Sequence, residues 1–237
     1  MTVLRQATES MPYVHALWIE GSGPQGYADE YSDIDLWLSV DDEKVFNIYE
    51  ELESALATIS PIDFKYVVKH EGNLGHTVYH LEGMSEFLTV DINTQGVSRE
   101  VVLTKGIDDA TIIFDKDNII KFKERESRDI DIDIDIDIER KRQKVRAFYE
   151  QMLPSVKKNV LRKKPLEALY YYHLILKYTT KFLWLKYDVP EKKGFDLKHI
   201  YRTLPEQDTQ MLEEFYNVAI QGIAATLPKL REWIYSL

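Results

Sequence analysis

A chain of 237 residues, 44% hydrophobic and 30% charged, has the make-up of a globular protein with material for one large core or two small ones. It contains no cysteine, which excludes disulfides, thiolate chemistry and cysteine-ligated zinc. No stretch approaches the roughly 18 uncharged apolar residues of a membrane span, and the first residues lack the apolar core of a signal peptide. The expected location is therefore the cytoplasm, with no membrane partner.

The net charge of −10 conceals an asymmetry. Residues 1–138 hold 11 Lys/Arg against 29 Asp/Glu, and residues 139–237 hold 19 against 11. Such a shift marks a domain boundary. An acidic half suits metal ions and cationic substrates, and a basic half suits phosphates. The plainer alternative is that opposite charges help the halves dock, and net charge alone does not choose between the two.

In chain order, residues 2–12 read as a short helix with Thr2 as its cap. Residues 13–20 enter a sheet, with the apolar run 16–20 as a buried strand. Residues 21–32 are rich in Gly, Ser, Pro and Asp and read as a loop opened by a tight turn. Residues 33–40 alternate as a second strand, which turns Asp33 and Asp35 to one face. Asp41 and Asp42 are placed to cap a helix whose apolar positions Val45, Ile48, Leu52, Leu56 and Ile59 keep a helical period until Pro61. A strand over 62–68 and a polar loop over 69–75 follow. Strands at 76–81 and 86–92 are expected to form a hairpin through residues 82–85. Residues 111–114 are a further short strand, with 119–122 pairing back.

Residues 129–138 spell DIDIDIDIDI. The period of two is that of a strand, but Asp is a poor strand residue. The segment reads as a low-complexity hinge, with a strand or a cation-binding run as the alternatives. Beyond it the period is helical. A helix over 139–153 is expected to stop at Pro154, and a second over 166–187 to follow Pro165, with Leu169, Leu176 and Leu183 on its apolar face. A short helix at 197–203 and one or two more over 205–237, broken near Pro228, complete a bundle. The expected fold class is α+β: a mixed β-sheet domain over 1–128, the hinge at 129–138, and an all-α domain over 139–237.

The chemistry concentrates at the first loop. Ser22 and Gln25 have the spacing of a capping box, which would open a short helix whose N–H groups bind phosphate. Gly21 and Gly23 would allow close approach to the main chain. Ten residues lie between Ser22 and Asp33, so the loop can return the paired carboxylates to the same end of the sheet. Paired carboxylates repel each other unless a cation sits between them. Carboxylate oxygens with phosphate oxygens are what Mg²⁺ and a nucleotide require. The plain alternatives are an ordinary turn and a solvated strand end.

Gly21-Ser22, Asp29 and Ser32-Asp33-Ile34-Asp35-Leu36 resemble the signature of the nucleotidyltransferase superfamily, DNA polymerase beta-like. That family places a third carboxylate on a later strand, and Asp91 matches by its apolar flanks Val90 and Ile92. A sheet domain followed by a helical one is similar to the aminoglycoside and lincosamide adenylyltransferase branch. One departure is Gln25 before Gly26, where many relatives carry Arg. The resemblance implies attack by a hydroxyl of a small-molecule acceptor, antibiotics of those two kinds included, on the α-phosphate of a nucleoside triphosphate, ATP by expectation, with pyrophosphate leaving. It implies Mg²⁺ on Asp33 and Asp35, Asp91 as second-metal ligand or general base, and Gly21, Ser22 and Gly23 at the β- and γ-phosphates.

Further candidates are Lys177 and Lys181, which share a helix face with His173 and would reach nucleotide phosphates; the alternative is snorkelling at a core edge. Asp29 and Ser32 read as loop hydrogen-bonders. His76 and His80 share a strand face without the spacing of a zinc site. Nucleic acid is not an expected partner, because the half bearing the carboxylates is acidic. Aromatic residues of the helical half, such as Tyr170, Trp184 and Trp233, would either form a homodimer surface or line the acceptor cleft. Two alternative functions are nucleotidyl transfer to a protein or RNA end, and a non-catalytic nucleotide-binding or toxin-partner module.

Overall fold

A computed structural model describes the chain except for Ser22, Gln25, Tyr27, Asp109 and residues 126–131 and 191–195; for residues 132–136 it describes the backbone alone. The chain forms two compact units, Met1–Glu126 and Ser127–Leu237.

The first unit is built on a mixed six-stranded sheet. Its strands are β1 (Val14–Glu20), β2 (Ile34–Val40), β3 (Ile62–Glu71), β4 (Leu74–Leu81), β5 (Val90–Gly96) and β7 (Thr111–Asp115), in the order β3-β4-β5-β2-β1-β7. Only β2 and β5 run parallel; the other neighbours are antiparallel. Two helices, α1 (Thr2–Glu9) and α2 (Ile48–Ala57), cover one face. The alternation of β2 explains the layering. Leu36, Leu38 and Val40 are fully buried against Leu4, Leu17, Leu52 and Leu56, while Asp35 and Trp37 point to the other face. Burial of each such leucine contributes about 1.5–3 kcal/mol. The opposite face, over β1 and β2, is covered by a small parallel pair, β6 (Val101–Thr104) and β8 (Ile120–Lys123). There Trp18 and Trp37 stack with ring centroids 5.8 Å apart, beneath Val101, Leu103 and Ile120.

Several expectations change. The segment 119–122 does not pair back on 111–114; its strand joins β6 in the second sheet. The polar loop expected at 69–75 is strand, and the tight hairpin lies between β3 and β4, where Gly72 takes φ +56° in a two-residue turn. The aspartates at 41–42 do not cap α2. A single 3₁₀ turn, Asp42–Lys44, precedes it, and Asp42 accepts from the Ser98 N–H at 3.1 Å instead. The strand expected from residue 86 begins at Val90.

The second unit is helical: α3 (Ile132–Leu161), α4 (Pro165–Lys186), α5 (Ile200–Thr203), α6 (Glu206–Tyr216) and α7 (Ile223–Ser236). Pro165 occupies the first turn of α4, where its missing N–H costs nothing. Neither internal proline ends its helix. Pro154 lies within α3 and Pro228 within α7. An internal proline removes one backbone hydrogen bond. Buried Tyr149 and Val156 flank Pro154, and the Tyr149 hydroxyl donates to the Leu227 carbonyl at 2.8 Å, so packing holds both helices across the defect. Residues 129–131 of the Asp/Ile repeat lie outside the described residues. From Ile132 onward the backbone of the repeat is helical and not strand.

Candidate metal centre

The central pair of the sheet positions the acids. Asp35 is the second residue of β2 and Asp91 the second of β5, and the parallel register sets them directly opposite each other. Asp33 immediately precedes β2, where the Ile34 N–H donates to the Thr89 carbonyl at 2.9 Å and ties this point to the start of β5. The side-chain period of two sends Asp33, Asp35 and Asp91 to one face. One carboxylate oxygen from each lies within 4.8 Å of the others. Asp33 is exposed, while Asp35 and Asp91 are half-buried. Three carboxylates this close repel one another unless a cation or hydrogen-bond donors offset the charge. All ligand atoms are hard oxygens and one side is open to solvent, which suits a divalent cation of the Mg²⁺ type that also keeps ligands from elsewhere.

Two neighbours complete the cluster, and sequence reasoning missed both. Nε2 of His76 on β4 lies 3.0 Å from Oδ1 of Asp91; as the Nε2–H tautomer it donates to that oxygen and fixes the carboxylate. A hairpin closed through residues 82–85 would have set position 76 opposite 91. The actual register pairs His76 with Asn93, two residues further along, which keeps the same face and makes His76 and Asp91 diagonal neighbours. Glu20 ends β1 directly opposite Asp35 and accepts from Nε1 of Trp18 at 2.8 Å. Its place depends on the β1–β2 register, which a loop of that length does not determine.

Gly21 is required by its surroundings twice over. Its φ is +84°, and a Cβ built there would lie 2.2 Å from Oδ2 of Asp35. The first loop residue is therefore pressed against the Asp35 carboxylate. Gly23 differs, since a Cβ there meets nothing. The capping box expected at Ser22 and Gln25, and the helix it would open, lie outside the described residues. The Gly26 N–H donates to the Gly23 carbonyl at 3.1 Å. Asp29 and Ser32 bond to each other, the Ser32 hydroxyl donating to Oδ1 of Asp29 and the Asp29 N–H to Oγ of Ser32, both at 3.0 Å.

The remaining candidates belong to other elements of the chain. Lys177 on α4 pairs with Asp196 at 3.0 Å on the surface of the helical unit. Lys181 lines a cavity between α3 and α4. The His173 ring is tilted between those of Tyr172 and Tyr216. His80 is held by Asp63 at 2.7 Å and the Ser85 carbonyl, and these partners raise its pKa. Burial, then the nearby Lys65 charge, lowers that of His70. Among the described residues, Asp33, Asp35 and Asp91 form the one group of acids and histidines arranged to hold a metal. No described helix is long and apolar enough to cross a membrane.

No protein-family model and no curated protein matches this chain. Among solved structures, a chain of the GLD-2/RNP-8 complex is similar at 14% identity and a TM-score of 0.32; the match covers 93% of this chain and 65% of that one, so this chain spans under two thirds of it. A nucleotidyltransferase-like protein from Exiguobacterium sibiricum is similar at 14% identity and a TM-score of 0.35, over 98% of this chain and 74% of that one. Likenesses this weak carry no argument about activity, and the chemistry of the carboxylates has to carry it.

Proposed function

We propose that this chain is a nucleotidyltransferase that moves a nucleoside monophosphate, AMP from ATP in the first instance, to a hydroxyl of a small-molecule acceptor. Aminoglycoside-like and lincosamide-like compounds are the acceptors to try first. The observation that supports this reading is the convergence of Asp33, Asp35 and Asp91 beside the Gly21 turn. The three carboxylates would hold Mg²⁺, which when bound polarises phosphoryl oxygens and offsets charge as it develops.

In the reaction an O–P bond forms between the acceptor hydroxyl and the α-phosphorus as the bond to pyrophosphate breaks. Asp33 and Asp35 would hold the cation that in turn offsets the phosphate charge, and the exposed side at Asp33 leaves the phosphates room. Asp91 serves either as a further metal ligand or as the base that takes the hydroxyl proton. His76 holds its Oδ1, so the carboxylate presents one orientation in either role. The backbone at Gly21 and Gly23, with Ser22, would face the β- and γ-phosphates. Lys177 remains a candidate for the same phosphates, although it would have to leave Asp196.

The test uses the full chain with each nucleoside triphosphate in turn and a panel of hydroxylated acceptors. Pyrophosphate release should require Mg²⁺ and fall by about three orders of magnitude in Asp33→Asn, the scale of several kcal/mol of electrostatic stabilisation. Turnover in that variant equal to wild type would refute the proposal.

A further inference from the structure

The helical unit contains a cavity of its own. It lies between α3 and α4 and has a volume of about 280 Å³. Lys141, Lys144 and Val145 line it from α3, and Tyr178, Lys181, Phe182 and Leu185 from α4. Both sets follow the three- and four-residue spacing that puts side chains on one helix face. Val145 and Phe182 are buried and give an apolar floor. Tyr178 stacks on Phe148 with ring centroids 4.4 Å apart, which restrains its ring.

Three lysine side chains therefore line one small, largely apolar hollow. Lys141 pairs with Asp137 at 3.0 Å, but among the described residues Lys144 and Lys181 have no acidic or hydrogen-bonding partner. Like charges brought together repel, and an anion removes that cost. A single carboxylate supplies one charge. A phosphate monoester supplies about −1.5 to −2 near neutral pH and three acceptor oxygens, and lysine binds phosphate as a point charge. The apolar floor and the tyrosine add a demand for a ligand with a planar or apolar body. The volume is at the lower end of the range for small-ligand pockets, roughly 300 Å³ and upward, which excludes dinucleotides.

We propose that this cavity binds a phosphate monoester carried on a planar apolar body, the chemistry of a nucleoside monophosphate, without any divalent metal. The site belongs to the helical unit and does not depend on the carboxylates. Lys181 holds the ligand's phosphate here, together with Lys144.

Calorimetry on the full chain in EDTA at low salt, with AMP as probe, tests this apart from the transferase reading. AMP should bind once per chain, and adenosine and inorganic phosphate each at least about tenfold more weakly, since each offers half of the recognised chemistry. Lys144→Glu with Lys181→Glu should weaken AMP by about 100-fold or more, through like-charge repulsion with the phosphate. Lys181→Gln, a milder change at an exposed position, should weaken it by about tenfold. Asp33→Asn should leave it unchanged. Phenyl phosphate binding as well as AMP would sustain the site and identify the ring, not the nucleoside, as the recognised body; weaker binding would sustain it and identify the nucleoside. Absence of AMP binding in EDTA overturns the proposal, as does binding that survives the double charge reversal. Inorganic phosphate binding as tightly as AMP also overturns it, because the apolar floor would then contribute nothing.

Discussion

Asp-Ile-Asp occurs in two regions of this chain and has two structures. Around residues 33–35 it leads into and begins β2, whereas from Ile132 the same alternation is the start of α3. The difference lies in what surrounds the backbone. β2 has β1 on one side and β5 on the other, so both rows of its N–H and C=O groups are paired, and Leu36 and Leu38 bury against two helices. The repeat runs directly into the long amphipathic segment of α3, and a helix satisfies its backbone within itself. The consequence for chemistry is direct. A strand turns residues two apart to the same face, while a helix turns them to nearly opposite sides. In β2 that period gathers carboxylates on one face.

Four experiments sharpen or break that contrast. The largest effect is expected from Asp35→Asn, which should cut Mg²⁺-dependent turnover by about three orders of magnitude. Asp133→Asn in the repeat should change it by less than about twofold. A comparable loss in the second variant would mean that the repeat serves the metal chemistry after all. Next, Leu38→Ala should destabilise the sheet unit by about 2–5 kcal/mol in urea melts. Ile138→Ala, at a half-buried position against the helical core, should cost about 1–2 kcal/mol. Equal losses would contradict the difference in burial.

Gly21→Ala is third. The new methyl would collide with Oδ2 of Asp35 at a backbone conformation that alanine adopts poorly, so turnover should fall by tens of fold, about 2 kcal/mol, with the fold retained. Gly23→Ala should be near neutral for stability. The smallest effect concerns His15 on β1, whose ring bridges Asp41 at 2.8 Å and Asp117 at 2.7 Å. Burial opposes its charge, but the hydrogen bonds to the two carboxylates outweigh that and raise its pKa. A raised histidine pKa gives stability that is fully present below about 6.5, the unfolded value, and is lost as pH rises through the higher folded value. The contribution should be under about 1 kcal/mol, because Asp117 is exposed and Asp41 is partly so. Thermal melts should show the gap between wild type and His15→Gln shrinking from pH 6 to pH 8.

Much of the sheet unit can be read from local pattern. β1 and β2 appear as apolar and alternating runs, and Asp33, Asp35 and Asp91 stand out because acids are costly among strand residues. Asp29 and Ser32 follow the habits of loop residues and bond to each other. Patterns failed where partners were distant. β8 alternates as if to pair with its sequence neighbour and instead joins β6. Pro154 and Pro228 are strong local stop signals, and packing overrides both.

By itself, the sequence determined which residues had unusual chemistry: an alternating pair of acids after a glycine turn, a third acid between two apolar strand residues, and lysines at helical spacing in a basic half. Those are properties of residue type and period, and they survive any arrangement of the elements. Tertiary structure alone decided that Asp35 and Asp91 are direct partners, that His76 donates to one of them, and that Gly21 must lack a side chain because Asp35 stands against it. It also decided that one Asp-Ile run is strand and the other helix. Register and proximity between segments far apart in the chain depend on how buried faces fit together, and no local period encodes that fit.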